Sequence, residues 1–84
     1  MKQETLRIRK QFAERTGLKV LGCHLNPGSM KEFVSVIVES AAPDIVTLVD
    51  SPKPWVLHGI QVTYIDSEYN GRRNLSIKLD QFHA

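Results

Sequence analysis

The Asn70-Gly71 pair constrains this chain more than any other feature. Asn and Gly best tolerate the two left-handed central positions of a type I′ turn, whose twist matches that of paired strands. Alternating apolar and polar residues run on both sides of it, from Trp55 to Gln81. The spacing predicts a ribbon that reverses at 70–71, with Tyr64 facing Ile77, Val62 facing Leu79, Glu68 meeting Arg73 and Thr63 meeting Lys78. Val56, Ile60, Val62, Tyr64, Leu75, Ile77 and Leu79 then share an apolar face, to which His58 belongs by parity. Gly59 marks a bulge or a close approach within it.

The N-terminal segment has a different period. Residues 3–16 are rich in helix formers, and Gly17 stands where a left-handed residue would close a helix. Met1, Ile8 and Phe12 fall on one side at 100° per residue, with Leu6 and Ala13 widening the stripe. Arg9 lies inside that stripe, so its stem is expected along the apolar edge with the head in water. Lys10 and Glu14 are spaced as an i,i+4 pair. Packing rather than propensity must hold so short a helix.

Between helix and ribbon, residues 18–25 and 32–39 read as strands. The second is an aromatic and β-branched run, Phe33, Val34, Val36, Ile37 and Val38, apolar on both parities as in a central strand. Asn26-Pro27-Gly28-Ser29 between them reads as a turn, or as part of a longer loop through Met30 or Lys31. Residues 43–50 give two answers. Ile45, Val46, Leu48 and Val49 have helical spacing behind Pro43 and Asp44, yet three of the four are β-branched; a strand is slightly favoured. Ser51-Pro52-Lys53-Pro54 interrupts whatever precedes it. The expected product is a single α+β domain over residues 1–84: an N-terminal helix packed on an antiparallel sheet of four or five strands, in two layers.

Chemistry is sparse by comparison. Cys23 is the only cysteine, and on a strand it points away from its neighbour His24, so the two form no thiolate–imidazole pair. His24, His58 and His83 match no metal-ligand spacing, and the carboxylates are scattered without forming a dyad. The glycines form no phosphate loop. No metal, cofactor or catalytic activity is expected, and a small-molecule site near His58 and Tyr64 ranks last.

Binding features are clearer. Residues 1–19 hold six basic residues against two acidic, a balance of +4, while the rest holds five against seven, a balance of −2. The basic helix face (Arg7, Lys10, Arg15) and the hairpin tip (Tyr69, Arg72, Arg73) are therefore candidate contact residues for nucleic acid. Trp55, approached by two prolines, is a candidate anchor for a protein partner. An edge strand must also be protected, and pairing with a second copy is one solution. The expectation is a cytoplasmic, non-enzymatic module that binds a protein partner or forms a homo-oligomer, without a membrane role; weak nucleic-acid binding is the alternative.

Overall fold

The computed structural model describes residues 2–28 and 32–84. Met1 and the 29–31 part of the first loop, on which a stripe residue and a turn position fall, lie outside the described residues. Among the described residues two helices and six strands follow one another: α1 (Lys2–Thr16), β1 (Gly22–Leu25), β2 (Phe33–Glu39), α2 (Pro43–Asp50), β3 (Trp55–Leu57), β4 (Ile60–Val62), β5 (Tyr64–Ile65) and β6 (Arg72–Lys78). A 3₁₀ turn, Leu79–Gln81, ends the chain's regular structure. The fold is α+β, as the periodicities imply, with a four-stranded antiparallel sheet in the order β1-β2-β6-β5 and a separate β3-β4 hairpin.

α1 buries Ile8, Phe12 and Thr16, spaced four apart along one line. Leu6, expected on that stripe, is exposed. Thr16 ends the helix with its own hydroxyl, donating to the Phe12 carbonyl at 2.7 Å and accepting from the Leu18 N–H at 3.1 Å. Gly17 follows in the left-handed region, its N–H bonded to the Ala13 carbonyl. The ion pair on this helix is Arg7–Glu4 rather than Lys10–Glu14. Arg9 does not end in water: its guanidinium donates to the Val20 carbonyl at 3.1 Å. Residues 18–20 form a connector, the Leu21 N–H bonds the Ile37 carbonyl at 2.8 Å, and the first strand, expected from residue 18, begins at Gly22.

β2 pairs along its full length with β6 and over Val34–Ile37 with β1; Val34, Val36 and Val38 are buried in the core, the first two opposite Ile77 and Leu75 of β6. The next segment reverses the strand preferred for 43–50. Pro43 supplies the first helical position, Asp44 sits in the first turn, and the Ala42 carbonyl accepts from Ile45 and Val46. Ile45 and Leu48 are buried while Val46 is not, a helical pattern. Burial of one stripe outweighs the strand preference of the β-branched residues.

The long ribbon divides in two. The reversal at Asn70-Gly71 is present, both residues having positive φ, with Tyr69 and Arg72 bonded across it. His58 and Gly59 also have positive φ, so the expected bulge is a second tight turn joining β3 to β4. Val62 consequently pairs with Trp55, not Leu79. The Thr63 N–H bonds the Ser76 carbonyl while Tyr64 also faces Ser76, which shifts the register by one residue. Tyr64 and Val56 are therefore exposed, whereas Ile60, Val62, Leu75 and Ile77 are buried as expected. Glu68 accepts from the Gly71 N–H at 2.6 Å instead of meeting Arg73.

Both helices, the β3-β4 hairpin and Phe82 cover one face of the large sheet with a single core. By register, the other face presents the row His24, Ser35, Ser76 and Tyr64. Among the described residues no helix is long and apolar enough to cross a membrane.

Candidate functional site

Two of the three basic residues expected to form a binding face on α1, Arg7 and Arg15, have structural partners. Arg7, Gln11 and Arg15 lie one turn apart on a single line, and all three grip the backbone of the last residues. Arg7 donates to the His83 carbonyl as well as to Glu4. Gln11 accepts from the His83 N–H at 2.9 Å, and Arg15 donates to the Gln81 carbonyl at 2.6 Å. Lys10 is exposed. The charge read as a binding face therefore serves largely to hold the C-terminal segment.

At the hairpin tip Tyr69 and Arg72 are exposed, and with Arg73 they border a shallow hollow of about 200 Å³. Arg73 is half-buried and donates to the Asp66 carbonyl at 3.0 Å; its Nε is buried without a partner. Asn74, next in sequence, bonds the Asp66 carboxylate at 3.0 Å. The structure thus brings Tyr69, Arg72 and Arg73 together but leaves only Arg72 with an outward guanidinium.

Trp55 has the more developed surroundings. Its indole Nε1–H donates to the Ser51 carbonyl at 3.0 Å, fixing the ring across the end of α2, and its body packs partly against the core. The Lys53 ammonium lies over the ring, 4.8 Å from the centroid. On one side of the indole a groove of about 580 Å³ opens between Lys53, Pro54, Val62 and Lys78. Gln61, Thr63 and Gln81 supply its remaining polar lining, and the Gln81 side chain already accepts from the Gln61 N–H at 2.9 Å. On the other side a smaller hollow of about 300 Å³ lies against α2, with Thr47 and Val56 on its walls. His58 and Asp44 close it with a 2.8 Å contact.

Lys53, Gln61, Lys78 and Gln81 are the site residues that sequence reasoning missed. Their meeting depends on β4 leaving the ribbon to lie beside the end of β6, and no turn signal announces that. The His58-Gly59 pair was the available clue.

The remaining reactive side chains stay apart. Cys23 faces the core side of β1, where burial raises its thiol pKa and the nearby Arg9 guanidinium lowers it less. Among the described residues no three His, Cys, Asp or Glu side chains gather as a metal cluster. Compared with known protein families, with curated proteins and with solved structures, the chain finds no match.

Proposed function

We propose that this protein is a small non-enzymatic interaction module that docks a protein partner or a second copy of itself through the surface around Trp55. The observation that carries the reading is the indole itself: half-buried, pinned to Ser51, and walling a groove on each side. Tryptophan held rigid at a concave surface supplies large contact area at little entropic cost, which is why it anchors protein interfaces. Exposed Val56 beside it adds apolar surface. A photo-reactive residue at position 56, in protein expressed in its own cells, should yield a discrete protein adduct that Trp55→Ser abolishes. Absence of any protein adduct, together with a strict monomer by light scattering at high concentration, would overturn the reading.

Exposed Tyr69 beside Arg72 favours the second reading, weak single-stranded nucleic-acid binding at the hairpin tip. It draws on Tyr69 and Arg72, with Lys10 the exposed cation left on the separate helix face, since Arg7, Arg15 and Arg73 hold backbone carbonyls. Affinity that falls with salt and disappears in Arg72→Ala would support it.

A further inference from the structure

We infer that the groove beside Trp55 takes a short acidic segment of a partner protein, with a carboxylate between the Lys53 and Lys78 ammoniums and an apolar side chain against Pro54, Val62 and the edge of the indole. The inference rests on the interaction-module reading and names the chemistry of the occupant. Charge complementarity is its basis. The chain outside residues 1–19 is net acidic, yet this groove has two lysines and no carboxylate in its lining. Sequence distance separates the two cations; the fold places them on one concavity. Among the described residues the rest of the lining is apolar or neutral.

The same details disfavour a nucleic acid strand. Lys53 covers a face of the indole, the surface on which a base would stack. Two ammoniums give little phosphate affinity, and the aliphatic Pro54 and Val62 wall suits a side chain better than a sugar. A carboxylate, by contrast, neutralises Lys53 without displacing it from the ring. Because the Gln61 N–H is already taken by Gln81, recognition falls to side chains rather than to an added strand.

Trp55 is the chain's one tryptophan, so its emission reports this groove directly. The probe is a capped pentapeptide of four glutamates around a central leucine. Its controls are the same peptide with lysines for glutamates and a short oligothymidine. Expected is a saturable emission change with the acidic peptide, with a Kd on the order of 100 µM, as suits a small contact. Affinity should weaken in roughly 0.5 M salt and fall about tenfold in the Lys53→Gln, Lys78→Gln double variant. Lys19→Gln, at an exposed lysine outside the groove, should leave it unchanged. No change with acidic peptide up to about 5 mM, or equal binding of the lysine peptide, overturns the inference. Tighter binding of oligothymidine overturns it in favour of nucleic acid. An emission change with protein concentration alone, accompanied by dimer mass, overturns it in favour of a second copy. A position-56 adduct without acidic-peptide binding sinks this occupant and leaves the module reading standing; loss of both sinks that reading as well.

Discussion

At Gly71 the backbone has φ of 74° and nothing lies within 4 Å of where a Cβ would be. An alanine there meets no atom, only the intrinsic cost of the left-handed region. Gly71→Ala should therefore lower stability by about 1–2 kcal/mol in urea denaturation, without changing the denaturant slope. The residue-level signal was legible here because Asn-Gly has few other uses. His58-Gly59 adopts the same geometry but was read only as a bulge or close approach at Gly59, since the shared parity of Val56, Ile60 and Val62 carried one strand across it. Cys23 carries a prediction of its own. Burial raises the thiol pKa, so the native state keeps a proton that the unfolded chain surrenders. This group's stability contribution is full below the ordinary thiol pKa, about 8.5, and is lost as pH rises above it. The pH midpoint for alkylation by iodoacetamide should accordingly lie higher in native protein than in urea; a lower native midpoint would contradict the burial argument.

Among the elements, α2 shows how a local preference loses to packing. Its β-branched residues argue for a strand, and in a strand Ile45 and Leu48 would point to opposite faces. In the helix both enter the core while Val46 stays half-exposed. Ile45→Ala and Leu48→Ala should each cost roughly 2–4 kcal/mol, and Val46→Ala less than about 0.5 kcal/mol, read as shifts in urea midpoint. The alternation rule predicts a different ranking, so the comparison separates the two geometries. α1 was legible because its period, its closing glycine and its buried Phe12 agree. What could not be foreseen was the use of its polar line. Arginines at i and i+8 look alike whether they face solvent or a carbonyl, and only the returning C-terminus decides.

Across the molecule, the central pairing joins β2 to β6, two strands separated by the whole middle of the chain. No turn residue records that partnership, which is why strand order stayed outside the sequence's reach while strand existence did not. The same long-range closure brings the two ends together. Phe82 is 6% exposed, and the Arg7, Gln11 and Arg15 line holds the backbone on either side of it. This clamp has an apolar part and a polar part, and they should contribute unequally. Phe82→Ala opens a core cavity and should cost about 3–4 kcal/mol. Arg15→Ala leaves the Gln81 carbonyl free to find water, so its cost should be about 1 kcal/mol. Hydrogen exchange then locates the effect: Phe82→Ala should raise exchange in both α1 and β6, because the ring belongs to the core cluster that Ile8, Phe12, Leu75 and Ile77 share. Arg15→Ala should raise it only near residues 79–83. Equal costs, or exchange confined to the C-terminus in both variants, would show that the two ends are fastened independently and that the core does not close through Phe82.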